Sequence, residues 1–200
     1  MSHLSIILNG PPGCGKDTIA KLMNEYGFHE HSFKRQLYIE TARYYGVNED
    51  ELVARATVRE LKEEVWEATG VSPRNMLIHT SENVIKPRLG KDFFGKAAAQ
   101  RCQQQSSTLA VFSDGGFAEE IPPLKELYKY VVVVRLHREG FSFGDDSRTY
   151  LDGFIGGVDL TLEEGAPEKA VREILWIVDP IMMELKASLH PVNVKYRGYL

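Results

Sequence analysis

One short stretch restricts the fold of this chain more than any other: Gly10-Pro11-Pro12-Gly13-Cys14-Gly15-Lys16-Asp17-Thr18. It follows the apolar run Leu4-Ser5-Ile6-Ile7-Leu8 and leads into Ile19-Ala20-Lys21-Leu22-Met23, which reads as a helix. Strand, glycine loop, helix is the order that a phosphate-binding loop requires. Gly10, Gly13 and Gly15 let the backbone turn tightly enough for several N–H groups to face one anion. The start of the following helix adds free N–H donors and the positive end of its dipole. Lys16 supplies the one mobile full charge, placed to reach the outer phosphates of a nucleoside triphosphate. The usual motif has Ser or Thr after the lysine; here Asp17 stands there, with Thr18 behind it. Spacing, preceding strand and following helix agree on a nucleotide-binding P-loop.

Two hundred residues suffice for one sizeable core, so a single domain over 1–200 is expected. At 43% apolar and 26% charged, the chain has the composition of a soluble globular protein. A net charge of −4 argues against a general nucleic-acid coat but leaves room for local phosphate pockets. The two cysteines, Cys14 and Cys102, suggest a reducing compartment and no structural disulfide. The N-terminal apolar run is too short for a signal peptide, and Tyr130 to Val134 is too short for a membrane span. A cytoplasmic protein is expected.

Helix one reads as running to about Tyr26 and ending at Gly27. His29 and His31 lie on a short strand and, with no third ligand at suitable spacing, read as surface histidines. Lys34-Arg35 then opens a helix and is placed to meet a substrate phosphate; a solvated pair is the competing reading. A short helix over Asn48 to Arg55 follows. Thr57 and Glu60 have the spacing of a capping box for a helix through Trp66. Ser72-Pro73 starts another, with Arg74 on its first turn. Lys86-Pro87-Arg88 reads as a break, and Lys91 to Gln105 as one more helix. Residues 34–107 thus make a helical insertion over one end of a sheet, where a second substrate would be held. Trp66 either stacks on a base there or fills a core.

Leu109 to Phe112 is a buried strand ending at Ser113-Asp114-Gly115-Gly116. Asp114, at the C-terminal end of a central strand beside a P-loop, is expected to meet a Mg²⁺-bound water or the substrate, unless it only forms the Asp-Gly turn. Phe117 to Tyr128 reads as helical despite Pro122-Pro123. Tyr130 to Val134 has the β-branched, two-sided character of a central parallel strand. Residues 135–150 then carry Arg135, Arg138 and Arg148 among glycines, the composition of a mobile lid that closes arginines over phosphates. A plain surface loop explains the glycines but not the arginine spacing. Val158 to Leu162 reads as the last strand, and Pro167 starts a long amphipathic helix that Pro180 can kink. The tail, 190–200, alternates Val192, Val194 and Tyr196, which suits packing on the body or on a partner subunit in a homodimer.

Strands alternating with helices around a P-loop argue for a three-layer α/β/α domain with a mainly parallel sheet. The loop, the helical insertion, the strand ending in Asp and the arginine lid together resemble the nucleoside monophosphate kinase branch of P-loop proteins. The Gly-Lys-Asp-Thr form of the loop is similar to that of the deoxynucleoside monophosphate kinases of tailed bacteriophages. Ser32-Phe33-Lys34, Ser72-Pro73-Arg74, Gly90-Lys91-Asp92-Phe93-Phe94 and Gly144-Asp145-Asp146-Ser147-Arg148 extend the likeness over most of the chain. Many monophosphate kinases have Asp-Gly-Phe-Pro-Arg after the central strand, whereas Asp114-Gly115-Gly116-Phe117-Ala118 lacks that arginine. Phosphomevalonate kinase of animals also has a Gly-Lys-Asp loop.

The resemblance implies transfer of the γ-phosphate of ATP to a deoxynucleoside 5′-monophosphate, with Mg²⁺ as cofactor, in the host cytoplasm if phage-encoded. Gly15, Lys16, Asp17 and Thr18 would hold the donor, and either Asp17 or Thr18 the metal. Lys34, Arg74, Arg88 and Asp114 would hold the acceptor. Lys16 with Arg135, Arg138 and Arg148 would act on the phosphoryl group in flight. A kinase for another phosphorylated metabolite, or a non-catalytic nucleotide-dependent switch, are the rival readings. Neither nucleic acid nor membrane is an expected partner.

Overall fold

The structure is a computed structural model that describes residues 4–144, 146, 148–152 and 157–189. The tail 190–200, with Val192, Val194 and Tyr196, and the lid residues Asp145 and Ser147 lie outside the described residues. Five strands form one sheet in the order β2-β3-β1-β4-β5: β1 Leu4–Asn9, β2 His29–His31, β3 Leu109–Phe112, β4 Tyr130–Arg138 and β5 Gly157–Leu162. Every adjacent pair is parallel. Central β1 is buried along its whole length, as a strand covered on both faces must be.

Alternate strand residues feed two cores. Ile6, Leu8, Val132 and Val134 pack under α1 (Lys16–Met23) and α9 (Pro167–Leu189), against Ile19, Met23, Val171, Ile174 and Val178. Ile7, Phe112 and Val133 face the other way, against Ala98 and Cys102 of α7 (Phe93–Gln104) and Ile121 and Leu124 of α8 (Ile121–Leu127). Each fully buried aliphatic side chain contributes about 1.5–3 kcal/mol of transfer free energy. These are the three layers that the alternation of elements implies, an α/β fold with a parallel sheet. The chain leaves β1 towards β2 on one side and leaves neighbouring β3 towards β4 on the other. The crevice beyond the carboxyl ends of β1 and β3 is therefore a topological switch point, where open α/β sheets bind ligands.

Between β2 and β3 lie only helices: α2 Lys34–Tyr45, α3 Glu49–Thr57, α4 Arg59–Glu63, α5 Pro73–His79, α6 Lys86–Leu89 and α7. They carry a small core of their own, with Trp66 packed against Leu52, Met76 and Ala42. Trp66 is buried and the Arg55 guanidinium lies 4.8 Å from its ring, so the tryptophan fills a core and does not offer a stacking face.

Several local expectations are corrected. Helix one ends at Met23 and continues as a 3₁₀ turn, Asn24–Tyr26, before Gly27 at φ 83°. The Thr57–Glu60 capping box does not form, because Thr57 is the last residue of α3 and its hydroxyl donates to the Val53 carbonyl. The Lys86-Pro87-Arg88 segment does not break the chain. A π-helical stretch, Thr80–Ile85, joins α5 to α6 without interruption, and Pro87 is the second residue of α6, so the chain stays helical across it. The lid expectation began too early, since β4 runs through Arg138 and both Arg135 and Arg138 are strand residues. His31 is buried, bonded to Ser107 Oγ at 2.9 Å and pushed down to about 4 by burial; of the two, His29 is the one on the surface.

Candidate active site

The P-loop joins β1 to α1 at the switch point. Gly13 and Gly15 take φ of 76° and 116°, a region that disfavours side chains, and Gly15 is the residue from which α1 starts. The Lys16 ammonium is buried and donates to the carbonyls of Gly10 at 2.7 Å and Pro11 at 2.6 Å. Burial lowers its proton affinity, and the charges of Arg148 and Lys34 lower it further. Those two cations therefore stand within electrostatic reach of the loop lysine. Asp17 and Thr18 are both exposed on the first turn of α1.

Asp114 anchors the side of the crevice that faces the helical insertion. Its carboxylate accepts from Ser32 Oγ at 2.6 Å, from Phe33 N at 3.0 Å and from Lys34 N at 2.9 Å. The end of β3 thus caps the N-terminus of α2 from across the fold, a contact of about 1 kcal/mol that also sets Lys34 at the mouth of the crevice. With three donors on its two oxygens, Asp114 is a positioning group here. The basic pair before it divides: Lys34 turns into the crevice, while Arg35 pairs with Glu49 of α3.

A cavity opens between the sheet end, the helical insertion and the lid. Its charged lining comprises Lys34, Lys62, Arg74, Lys86, Lys91 and Arg148, with Glu82, Asp114, Glu120 and Asp146. Apolar walls come from Leu37, Tyr38, Leu77, Phe94 and Phe117. Arg148 is held by Asp146 at 2.8 and 2.6 Å, a two-oxygen clamp that raises its proton affinity. Burial pushes the Asp146 carboxyl up, but the hydrogen bonds from Arg148 outweigh it and hold Asp146 at about 2. Gly116 makes room for this arginine, since a Cβ there would lie 2.5 Å from the Arg148 side chain.

The sequence-predicted arginines separate. Arg148 and Arg74 line this cavity; Arg74 also pairs with Glu63 at 3.2 Å. Arg88 is exposed on α6 and is not among the lining residues, so it is not brought to the site. Arg135 is committed to Asp159 at 2.8 and 2.5 Å and to the Leu151 carbonyl, and lines neither cavity. Arg138 lies on the other side of the P-loop, in a smaller cavity with Cys14, Gly15, Thr18, Leu162 and Glu163. Its guanidinium stacks 4.6 Å from the Phe141 ring, and Phe141 in turn covers Gly13.

Three contributors were not singled out from the sequence. Asn9, the residue before the loop, donates to the carbonyls of Gly115 and Thr149 and accepts from Leu151 N. It ties the end of β1 both to the Asp114 turn and to the return of the lid. Lys62, on α4, lines the main cavity. Glu120 is buried, and one of its oxygens accepts from Gly116 N and Phe117 N, both at 3.2 Å. Burial, then the charge of Asp114, pushes it up to about 8, against the pull of those two N–H groups and Arg148.

Among the described residues no group of three His, Cys, Asp or Glu is placed to hold a metal by itself. A Mg²⁺ carried by substrate phosphates needs fewer protein ligands, one or two hard oxygens. Asp17 fits that need: it is exposed beside the phosphate loop and has no ion pair among the described residues.

No protein-family model matches the sequence, and no curated protein matches it. Solved structures do resemble it. A sugar kinase from Janibacter sp. HTCC2649, in an unliganded structure, has a TM-score of 0.50 at 11% identity, over 90% of this chain and 95% of that one. A protein from Chloroflexus aurantiacus j-10-fl, provisionally assigned as a kinase, has a TM-score of 0.50 at 15% identity, over 92% and 97%. At these identities the likeness concerns the fold. The chain has the α/β fold of these kinases, and the P-loop lies at the crevice where that fold binds ligands.

Proposed function

We propose that the protein is an ATP-dependent phosphotransferase that moves the γ-phosphoryl group of ATP onto the 5′-phosphate of a deoxynucleoside monophosphate. The observation that carries this reading is the charge of the main cavity. In a chain of net charge −4, Lys34, Lys62, Arg74, Lys86, Lys91 and Arg148 converge on one space beside a P-loop lysine. A neutral polyol gives such a cavity nothing to neutralise; a phosphorylated acceptor does. The apolar walls suit the flat base and sugar of a nucleotide, and the sequence likeness to deoxynucleoside monophosphate kinases selects that class among phosphorylated acceptors.

The donor lies with its phosphates on the loop, held by the backbone N–H groups around Gly13 and Gly15 and by Lys16, with Thr18 and Arg138 towards its nucleoside. An acceptor phosphate oxygen forms the new bond to Pγ. The bond from Pγ to the bridging oxygen breaks, and ADP leaves with the electron pair. The attacking oxygen is already anionic near neutral pH, so no strong base is required and catalysis is positioning plus charge neutralisation. Lys34 and Arg74 align the acceptor, and Arg148 neutralises charge on the group in flight and excludes water. Asp17 would hold a Mg²⁺ brought with the donor, and the metal would supply positive charge that offsets the charge of the triphosphate.

A second reading keeps the same donor machinery with a phosphorylated acceptor that is not a nucleotide. The absence of an arginine at Ala118, where many monophosphate kinases have one, favours it. Both are tested by measuring ATP turnover against deoxynucleoside monophosphates, non-nucleotide phosphoesters such as phosphomevalonate, and neutral sugars. Stimulation by a deoxynucleotide is the expected result. Stimulation by another phosphoester alone establishes the second reading, and stimulation by a neutral sugar alone refutes both.

A further inference from the structure

Four cations from four elements surround one part of the main cavity: Lys34 on α2, Lys62 on α4, Arg74 on α5 and Arg148 from the lid. Two of them have carboxylate partners, Arg74 with Glu63 and Arg148 with Asp146. Lys34 and Lys62 are half-buried and, among the described residues, have no carboxylate within 4.0 Å and no side-chain hydrogen bond. We propose that Lys62 is a direct ligand of the acceptor phosphate, completing with Lys34, Arg74 and Arg148 a site that takes a phosphomonoester as its dianion. The proposal rests on the phosphate-acceptor reading above and adds to it the residue and the ionisation state.

The argument is one of charge balance. Like charges brought together in a half-buried space repel, and burial weakens the water that would screen them. The groups facing Lys62 are Lys34 from α2, Arg74 from α5, Arg148 from the lid and Glu63 on its own helix, while α3 contributes the apolar Ala56 to the cavity wall. Burial lowers the proton affinity of Lys62, the three cations lower it further, and only Glu63 opposes them. The donor does not account for this cluster, because the loop holds its own phosphates with glycine N–H groups and Lys16. A dianion placed among the four relieves the repulsion and restores the proton affinity of Lys62. Binding therefore takes up a proton on the alkaline side, at a pH below the ordinary lysine value of 10.5. On the acid side affinity grows as the monoester loses its second proton near pH ~6.

Calorimetric titration of the four common deoxynucleoside 5′-monophosphates, and of inorganic phosphate, tests this from pH 6 to 10 with wild type, Lys62→Met and Lys62→Arg. Two buffers of different ionisation heat count the protons. Lys62→Met is expected to weaken monophosphate binding roughly ten- to hundredfold, as loss of a charged hydrogen bond does, with ATP affinity unchanged. Lys62→Arg, which stays charged throughout, should hold affinity within a few-fold but lose the alkaline proton uptake. Equal affinity and equal proton uptake in all three proteins overturns the role of Lys62 while leaving the acceptor reading standing. So does a parallel loss of ATP and monophosphate affinity in Lys62→Met, which would place Lys62 at the donor. Failure of wild type to bind any of the monophosphates or phosphate removes both together.

Discussion

Glu120 is a carboxyl that the fold keeps out of water next to another carboxylate, Asp114, and its proton is held up to about 8. The consequence for stability has a definite sign. At pH below the ordinary value of 4.5 the group is protonated in both folded and unfolded chains and costs nothing. As pH rises from about 4.5 to about 8, the unfolded chain releases the proton while the folded chain keeps it, so stability falls, by up to about 1.4 kcal/mol per pH unit. Glu120→Gln keeps an oxygen for the N–H groups of Gly116 and Phe117 and cannot ionise. Its thermal midpoint should exceed that of wild type by a margin that grows from pH 4.5 to 8 and then levels. A margin independent of pH would show that Glu120 is not a buried acid. At this scale the sequence is legible where one residue type is required by a backbone shape, as at Gly13, Gly15 and Lys16. It is silent on Glu120 and Lys62, each of which stands next to a glutamate in the sequence and owes its burial to elements elsewhere in the chain. Asp114 was legible as a residue at the right place, but its three bonds to Ser32, Phe33 and Lys34 depend on β3 lying beside β2.

The elements most exposed to error were those whose ends are set by contacts outside them. The Thr57–Glu60 spacing matched a capping box, yet α3 runs to Thr57 and consumes the hydroxyl within its own last turn. Ser72-Pro73, which needs only local geometry, forms as expected, with Ser72 accepting from Asn75 N. The lid shows the same division. Composition marks residues 135–150 as arginine-bearing, but pairing with β5 extends β4 through Arg138 and turns Arg135 onto Asp159. The lid arginines should therefore be unequal. Arg148→Ala should lower kcat by about 10³-fold, leave the ATP KM unchanged and raise the acceptor KM by a smaller factor than the loss in kcat, since it borders the acceptor phosphate but acts most strongly on the phosphoryl group in the transition state. Arg135→Ala should change kcat by less than about threefold and act instead on thermal stability. Steady-state kinetics of the two variants checks this. Equal losses of kcat would mean that the Arg135–Asp159 pair opens during turnover, and unchanged kcat in Arg148→Ala would reduce the lid to a surface loop.

At the scale of the whole molecule, a parallel sheet in the order β2-β3-β1-β4-β5 brings the loop after β1, the carboxylate after β3 and the segment after β4 to one edge. Strand order of this kind follows from which faces each element can bury, and it was legible only as a class: alternating strands and helices around a P-loop. What it assembles is one crevice with a glycine loop and its buried lysine at one end and a cation-lined cavity at the other. The faces of the sheet are closed by α1 and α9 on one side and by α7 and α8 on the other, which leaves the crevice at the strand ends open. The central claim, that a phosphoryl group crosses this crevice from ATP to a deoxynucleoside monophosphate, is tested most directly by following label from γ-³²P-ATP. Labelled diphosphate should form with wild type and at least one of the four common deoxynucleoside monophosphates. Lys16→Ala, with an unchanged thermal midpoint, should form it at a rate lower by orders of magnitude. Absence of labelled diphosphate with all four in wild type, or its formation at the wild-type rate by folded Lys16→Ala, would contradict the claim.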